Sequence, residues 1–271
     1  MMRSLWSAAS GMIAQQTNVD SIANNLANVN TTGYKNEKAE FKTLLYQTLQ
    51  TRTTTANGEE KPIPAQVGLG TRVVAITSSF EQGPMLASES NTAFGINGDG
   101  FFAVRGVDGN TYYTRNGDFK LSIGNDGLTL ATAEGYPVLD SQGQPIVFPA
   151  NVNSSALVVN SDGTFGYRNG NNAYVDMNVS LGIFQFNNPA GLEKMSNGLF
   201  NVTEASGAAM NEATEQNLIP SEIKQKYLEG SNVQVADEMV NLIVAQRAYE
   251  MNSKAIQATD DMLGQANQLK R

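Results

Sequence analysis

The sequence feature that most constrains the fold is a pair of heptad patterns, one near each end of the chain. The N-terminal seam has two rows of residues spaced seven apart: Leu5, Met12, Val19 and Leu26, and Ala8, Gln15, Ile22 and Val29. The C-terminal seam has one such row: Val235, Leu242, Tyr249, Ile256 and Leu263. A narrow seven-residue repeat is typical of helices that pack against partner helices. We therefore expect the two ends to pair as a coiled coil and to pack against copies of the same chain.

Composition argues against an enzyme and against several kinds of partner. The chain of 271 residues has no cysteine and no histidine, which removes the best nucleophile, the commonest general base and two soft metal ligands. We expect no catalytic residue, no metal site and no cofactor. The balance is acidic, with 18 Lys and Arg against 26 Asp and Glu, and no basic run is present. Binding to nucleic acid is therefore not expected.

No stretch of the sequence reaches the roughly 20 apolar residues that cross a membrane, so no membrane span is expected. The first thirty residues carry one cation, Arg3, and polar residues interrupt every apolar run there. This is not the pattern of a cleavable secretory signal peptide. If the protein leaves the cytoplasm, we expect a route that does not read such a signal.

The middle of the chain reads as β structure from about residue 67 to residue 204. Six short apolar runs stand between turn signals, namely Thr71–Ile76, Gly100–Arg105, Leu128–Ala131, Ile146–Phe148, Leu157–Val159 and Leu181–Phe186. The turns carry Asp-Gly or Asn-Gly pairs, which favour hairpins because such turns need positive φ angles. We place these turns at residues 107–110, 115–118, 125–127, 161–163 and 168–170, with Ser-Gln-Gly at 141–143. The pattern predicts a central antiparallel β domain.

The predicted fold is thus α+β and multidomain, with a central all-β domain inserted between two long terminal helices. We divide the chain into an N-terminal coiled-coil helix (1–33), an extended linker (34–75), the β domain (76–225) and a C-terminal coiled-coil helix (226–271). The first helix is expected to run from about Ser4 to Thr31, with Gly33 in the left-handed position after its end. Residues 37–49 could prolong it. Ser231 and Gln234 are spaced as a capping box for the second helix, with Asn232 as an alternative cap.

Three stretches resemble the bacterial flagellar basal-body rod and hook proteins. The first is residues 22–35, whose motif residues are Asn24, Asn25, Leu26, Ala27, Asn28, Thr32, Gly33, Tyr34 and Lys35. The second is residues 228–255, which contain Leu-Glu-Gly-Ser-Asn-Val and Gln-Arg-Ala-Tyr-Glu. The third comprises residues 98–102 and 113–119 in the middle. Within the family, the length and the opening Arg-Ser-Leu-Trp are most similar to the distal-rod branch, and a Thr- and Pro-rich insert near 46–66 falls where that branch carries an extra stretch.

The resemblance implies a structural role. It implies a subunit that assembles with itself into a straight helical tube, which transmits motor torque to the hook. The terminal helices would form the inner layer of that tube and the β domain the outer layer. The implied partners are the protein itself as a helical homopolymer, the proximal rod proteins, the hook protein, the rod-capping protein and, in a Gram-negative cell, the bushing rings. The implied location is the flagellar basal body, in the periplasm and cell wall, reached through the flagellar type III apparatus.

Two alternatives stay open at this point. One is the neighbouring rod subunit of similar size in the same family. The other belongs to a different class, a secreted β-rich binding or carbohydrate-active protein with helical ends. A tube seen by electron microscopy would favour a rod subunit, whereas ligand binding by the β domain would favour the second alternative.

Overall fold

The structure, a computed structural model, describes residues 2–50, 65–124, 127–149, 157–168, 174–215 and 217–269. One long helix lies at each end of the chain, and the region between them is rich in β-strands. The predicted α+β class is confirmed at this level. Neither helix in the described ranges has a segment apolar and long enough to cross a membrane.

The chain forms two compact units, which we call the helical unit and the β unit. The helical unit comprises residues 1–27, 37–78 and 234–271. Its elements are α1 (Met2–Ala27), β1 (Glu37–Thr43), β2 (Tyr46–Gln50), β3 (Ala65–Gly68), β4 (Thr71–Ser78) and α2 (Val235–Gln268). β1 pairs with β4 and β2 pairs with β3, both antiparallel, so the strands of this unit form two-stranded ribbons. Isolated ribbons of this kind are marginally stable in water, and α1 packs on the β1–β4 ribbon.

The β unit comprises residues 28–36 and 79–233. Its strands are β5 (Met85–Ala87), β6 (Phe94–Asn97), β7 (Phe101–Arg105), β8 (Thr111–Thr114), β9 (Lys120–Gly124), β10 (Gly127–Ala131), β11 (Val147–Phe148), β12 (Leu157–Val159), β13 (Thr164–Arg168), β14 (Tyr174–Ser180), β15 (Ile183–Gln185), β16 (Glu193–Lys194), β17 (Leu199–Asn201), β18 (Met210–Asn211), β19 (Glu222–Gln225) and β20 (Tyr227–Glu229).

The largest sheet of the β unit has six strands in the order β16-β17-β8-β7-β15-β18, and all its pairs are antiparallel. Smaller antiparallel sheets have the orders β11-β10-β9, β12-β13-β14, β19-β6 and β20-β5. Each of the six predicted apolar runs contains a strand. The prediction of a β-rich centre is therefore confirmed, although the first run, Thr71–Ile76, lies in β4 of the helical unit.

Strand alternation gives β7 two buried faces and so two apolar clusters. Phe102 and Val104 belong to a larger cluster with Phe94, Phe119 and Phe165. Phe101 and Ala103, which alternate with them along the strand, belong to a second cluster with Phe186 and Phe200. The ring of Phe101 meets those of Phe186 and Phe200 edge-on, at centroid distances of 5.4 and 5.9 Å. A strand buried on both faces reads as a continuous apolar run, as residues 101–104 do.

Two predicted hairpin turns follow the predicted chemistry, whereas the turn predicted at residues 115–118 does not join a hairpin, because β8 pairs with β7 and β17, β9 pairs with β10, and Gly117 is not among the glycines with positive φ. Gly109 lies between β7 and β8 with φ +81°, and Gly163 lies between β12 and β13 with φ +78°. Both values lie in the left-handed region that glycine adopts without strain. Residues 125–126 and 169–170, which belong to two other predicted turns, lie outside the described residues.

The first helix ends earlier than predicted. α1 ends at Ala27, and the amide of Thr31 donates to the carbonyl of Asn28 in a turn. Asn and Thr favour such local bonds over helix continuation, so Val29 of the N-terminal seam is not helical. Gly33 has the expected positive φ, +70°, but lies too far beyond the helix to serve as its cap.

The prediction that residues 37–49 prolong a helix is wrong, because this segment forms β1 and β2. Residues 34–75 are likewise not simply an extended linker, since β1 and most of β4 lie in it and pair over seven residue positions. Pairing between strands far apart in sequence overrode the local helical spacing. Within the predicted insert, residues 46–50 and 65–66 lie in β2 and β3, and residues 51–64 lie outside the described residues.

The predicted capping box is also wrong. α2 begins at Val235, and its cap residue Gln234 makes no capping bond with its side chain. The hydroxyl of Ser231 instead accepts from the amide of Val233 at 3.3 Å, which forms a local turn before the helix. The units divide the chain after residues 27, 36, 78 and 233, whereas the sequence placed domain boundaries after 33, 75 and 225. The difference arises because strand pairing places residues 37–78 with the helices and residues 28–36 with the β unit.

Candidate assembly interface

The two long helices of the helical unit contact each other in an antiparallel arrangement. The Nδ2 atom of Asn25 in α1 lies 3.4 Å from Oε2 of Glu238 in α2. A Cβ on Gly11 would lie 2.9 Å from Nδ2 of Asn252, so the helices approach closely there. The two contacts are two heptads apart on each helix. The later residue of α1 meets the earlier residue of α2, so the two helices run in opposite directions. A heptad line on α1 therefore faces a heptad line on α2.

The predicted seams only partly coincide with the buried faces. Ala8 and Ile22 of the N-terminal seam are buried. The other helical members of both seams are half-buried, except two exposed ones, Val235 and Tyr249. Tyr249 borders a groove of about 390 Å³ with Gln16, Val19, Gln246 and Glu250. The role of the seams in assembly stays a prediction.

Sequence reasoning missed a second row on α2. Its members are spaced by seven and comprise Glu238, Ala245, Asn252 and Thr259. Three of them are buried, and Asn252 meets Gly11. Because small and polar residues fill this row, an apolar pattern could not reveal it. The available signal was the position of these residues, three after each member of the C-terminal seam.

Both helices carry large apolar side chains that the helical unit leaves exposed. On α1, Trp6 is 71% exposed and Ile13 is 67% exposed. Besides Val235 and Tyr249, α2 exposes six large apolar residues, which we call the open face of α2: Met239, Val240, Ile243, Val244, Met251 and Met262. Soluble monomers rarely leave so many large apolar side chains together in water, and such surfaces mark sites of interaction.

The first half of the family motif lies at the end of α1 and joins that helix to β1. The Asn25 side chain is buried; Oδ1 accepts from the Glu37 amide at 2.9 Å, and Nδ2 donates to the Glu37 carbonyl at 2.8 Å. Asn24 is exposed, and its Nδ2 donates to the Glu37 carboxylate at 3.2 Å. Leu26 is half-buried and Ala27 is exposed. The motif therefore positions the strand that follows it.

The second half of the motif belongs to the β unit. The hydroxyl of Thr32 donates to Oδ1 of Asn116 at 2.9 Å, and the amide of Gly33 donates to the carbonyl of Glu229 at 2.8 Å. A Cβ on Gly33 would lie 2.8 Å from backbone atoms of Arg115 and Asn116. Tyr34 is half-buried beside them. The motif is thus fitted closely against the backbone of another family stretch.

Lys35 ends the motif in a buried charge cluster around Glu229. Its Nζ donates to Oε1 of Glu229 at 2.6 Å and to the carbonyl of Glu81 at 2.8 Å. The other carboxylate oxygen lies 3.3 Å from NH1 of Arg115, and the Gly83 amide donates to Oε1 at 3.0 Å. The side chains of all three charged residues are about 1% exposed. A cluster so well sealed holds the fold together and offers no surface to a substrate.

Burial opposes the charge of both cations in this cluster. It lowers the pKa of Lys35 below 10.5, and the attraction of Glu229 partly offsets that effect. Burial also lowers the pKa of Arg115, again against the attraction of Glu229. The Arg115 guanidinium lies 4.8 Å from the centre of the Phe101 ring, a cation–π contact, and donates to the carbonyl of Gly98 at 2.9 Å. Both cations therefore depend on one carboxylate.

The three stretches that carry the family resemblance meet at this cluster. Lys35 comes from the first, Arg115 from the middle one and Glu229 from the last. Sequence reasoning singled out Lys35 but assigned no role to Arg115 or Glu229. The missed signal was the one basic residue of residues 113–119 and the one acidic residue of the Leu-Glu-Gly-Ser-Asn-Val run.

The Asn232 side chain joins backbone groups of the β unit and does not cap α2. Its Oδ1 accepts from the amide of Asn36 at 2.7 Å, and its Nδ2 donates to the carbonyls of Ser79 and Glu81 at 2.9 and 3.1 Å. One side chain thus bonds three backbone groups near two of the points where the chain enters or leaves this unit.

Replacing Asn232 by aspartate is expected to lower the free energy of unfolding by about 1–3 kcal/mol, because the carbonyls of half-buried Ser79 and exposed Glu81 both lose their donor and face a carboxylate, and one hydrogen bond contributes about 0.5–1.5 kcal/mol. Urea unfolding followed by near-UV circular dichroism measures the loss. The matched control is Asn197→Asp at an exposed position, where a change within about 0.5 kcal/mol is expected. Equal losses in the two variants would show that the side-chain bonds of Asn232 do not stabilise the β unit.

Comparison with known proteins matches family models to the same regions. The model for the flagella basal body rod protein matches residues 5–35. The model for the D1 domain of the flagellar hook protein FlgE/F/G matches residues 95–167, and that for the C-terminal part of the flagellar basal body rod FlgEFG protein matches residues 224–269.

Several full-length relatives are named flagellar basal-body rod protein FlgG, and one from Bacillus subtilis, 31% identical over the full length of both chains, is named flagellar hook-basal body complex protein FlhP. The chain is 44% identical to the protein of Borreliella burgdorferi over the full length of both chains. It is 41% identical to that of Agrobacterium fabrum, over 96% of this chain and 97% of the relative. It is 40% identical to that of Buchnera aphidicola subsp. Baizongia pistaciae, over 97% and 98%. Relatives of this kind do not fit the alternative of a secreted binding protein of another class. As the motif at residues 22–35 predicted, the chain belongs to the flagellar basal-body rod family, which is structural and not enzymatic.

Proposed function

We propose that this chain is the structural subunit of the flagellar distal rod, and that its copies polymerise into a straight helical tube that transmits motor torque to the hook. The proposal is supported by full-length similarity to flagellar basal-body rod proteins named FlgG. A polymer of this kind needs a head-to-tail interface that repeats without closing. The location that follows is the bacterial flagellum.

The observation that carries the proposal is the open face of α2. Ile243 and Val244 are exposed by 55% and 62%, and Val240 and Met251 lie on the same helix with similar exposure. Burying one such side chain contributes about 1.5–3 kcal/mol, so a few of them on each copy suffice to drive association. Trp6 and Ile13 add apolar surface on α1.

In this proposal α1 and α2 pair within each chain as an antiparallel coiled coil, and the helical unit supplies the contacts between copies. Two close approaches separated by two heptads, Asn25 with Glu238 and Gly11 with Asn252, support the pairing. The predicted segments 1–33 and 226–271 then act as assembly segments. The β segment 76–225 folds around its own core.

The partners proposed beyond the chain itself are the proximal rod proteins, the hook protein and the rod-capping protein, with the bushing rings added in a Gram-negative cell. The family supports assembly with other rod and hook components. The proposed place is the periplasm and cell wall, reached without a cleavable signal peptide.

The test is polymerisation of the purified protein watched by negative-stain electron microscopy. Wild-type protein is expected to form straight tubes. Val244→Asp is expected to raise the protein concentration needed for tubes at least about tenfold, because about 1.4 kcal/mol lost per contact changes an association constant tenfold. Sedimentation of the polymer measures that concentration.

The control is Gln257→Asp, which adds the same charge to an exposed polar position of α2. It is expected to polymerise within about twofold of wild type. Curved tubes would contradict the distal-rod assignment. If Val244→Asp assembles as the wild type does, the open face of α2 is not part of the interface between copies.

A further inference from the structure

The Asn25 side chain is bonded in a way that resembles a strand partner. It accepts from the amide of Glu37 and donates to the carbonyl of the same residue, at 2.9 and 2.8 Å. Directly opposed residues of an antiparallel ladder exchange the same two bonds. An asparagine amide has both a donor and an acceptor at this length, whereas aspartate lacks the donor and leucine lacks both. Asn25 thus fixes the first residue of β1 against α1.

The same amide group also faces α2. Its Nδ2 lies 3.4 Å from Oε2 of Glu238, which is only 5% exposed and lies in the first turn of α2. A buried carboxylate needs hydrogen-bond donors, and the loss of a partner of this kind is costly. Asn25 therefore joins three elements: α1, β1 and the start of α2.

The rest of the helix interface discriminates poorly between registers. The C-terminal seam repeats similar residues every seven positions, with Leu242, Ile256 and Leu263 among them, and Gly11 and Ala245 are small. A slip of one heptad brings another apolar residue of this seam to the place of each one that leaves. In helix pairs of this kind a single buried polar contact can specify the register.

We propose that Asn25 and Glu238 are the register-determining pair of the helical unit. Asn25 is held in place by its two bonds to Glu37, and Glu238 finds a preset amide donor in one register only. When α2 slips by one heptad towards its N-terminus relative to α1, Asn25 faces Ala245 and Glu238 loses that donor. This inference deepens the proposed function, because copies can present the same open face of α2 only when every chain adopts the same register.

The test uses cysteine cross-linking, which is clean because the chain has no cysteine of its own. Asn18 and Ala245 lie one heptad inside each observed contact, so Asn18→Cys with Ala245→Cys reports the native register. Asn18→Cys with Asn252→Cys reports a slip of one heptad. Both pairs are oxidised with diamide in full-length protein, separately in monomer and in sedimented polymer. A mixture of isotope-labelled and unlabelled chains identifies cross-links within one chain.

In the otherwise native background, the native pair is expected to cross-link at least about tenfold faster than the slipped pair. Asn25→Asp and Asn25→Leu are expected to reduce this ratio to about threefold or less, while circular dichroism still shows helix. Glu238→Gln keeps an acceptor oxygen and is expected to keep the native ratio. The matched control is Ala23→Asp, which places a charge on an exposed residue of α1 two positions away and is expected to leave the ratio unchanged.

An unchanged ratio in both Asn25 variants overturns the proposal. If the Asn25 variants lose their helix signal, Glu238→Ala decides, because it leaves the bonds between Asn25 and Glu37 intact. An unchanged ratio in that variant also overturns the proposal. The ratio is read within single chains, so failure of the wild type to form tubes contradicts the proposed function and leaves the register result standing.

Discussion

Replacing Glu229 by alanine is expected to destabilise the β unit by about 3–5 kcal/mol, because two buried cations lose the carboxylate between them. Lys35 and Arg115 each bond to one of its oxygens, and the Gly83 amide loses an acceptor as well. A loss of this size is a large part of the total stability of a typical domain. Urea unfolding monitored by near-UV circular dichroism, which reports the tyrosines of the β unit, measures it.

The control for this change is Glu222→Ala, an exposed glutamate of the same unit whose carboxylate lies 3.9 Å from the Lys224 ammonium. A change within about 0.5 kcal/mol is expected there. Glu229→Gln keeps one acceptor oxygen without the charge and is expected to fall between the two. If Glu229→Ala is no worse than Glu222→Ala, the charge cluster does not stabilise the fold.

Replacing Glu229 is also expected to change how the free energy of unfolding depends on pH. Burial already lowers the pKa of Lys35 in the folded protein below 10.5, so between that lowered pKa and 10.5 the unfolded chain binds more protons. Stability from this group therefore rises with pH across that window. Without Glu229 the pKa of Lys35 falls further, and the window widens towards lower pH. Nitrogen-detected NMR of the lysine side chains measures the pKa directly.

Gly33→Ala is expected to lower the free energy of unfolding by about 2–5 kcal/mol, through two separate effects. The φ of +70° costs an L-residue about 1–2 kcal/mol. The new Cβ would also lie 2.8 Å from the backbone of Arg115 and Asn116, and relieving such a contact costs about 1–3 kcal/mol more. The displaced backbone carries Arg115, so the charge cluster is disturbed as well.

Gly198 separates these two effects. Its φ is +68°, and nothing lies within 4 Å of the Cβ that alanine would add. Gly198→Ala is therefore expected to show the backbone strain alone, about 1–2 kcal/mol. The same urea unfolding experiment compares both variants. Equal losses would mean that the backbone near Gly33 moves aside at no cost.

The sequence predicted those features that arise from local patterns. Two long helices follow from heptads, and the hairpin between β7 and β8 follows from the Asp-Gly pair before Asn110. Each of these depends on residues close together in the chain, where spacing and turn chemistry act directly. The family followed from a long motif at residues 22–35.

Contacts between distant residues could not be read in this way. The residues of β1 pair with residues of β4 that lie 28 to 41 positions later, and no local pattern near residues 37–43 predicts that partner. Glu238 and Thr259 are buried although both are polar, because the antiparallel neighbouring helix determines their exposure. The role of Glu229 likewise depends on Lys35, which lies 194 positions away.

That separation of 194 residues has a consequence for the order in which the chain becomes folded. Long-range contacts form slowly because a large loop must close first. A chain that emerges with its N-terminus first carries Lys35 early and Glu229 almost last. The β unit therefore cannot close its charge cluster until nearly the whole chain has emerged.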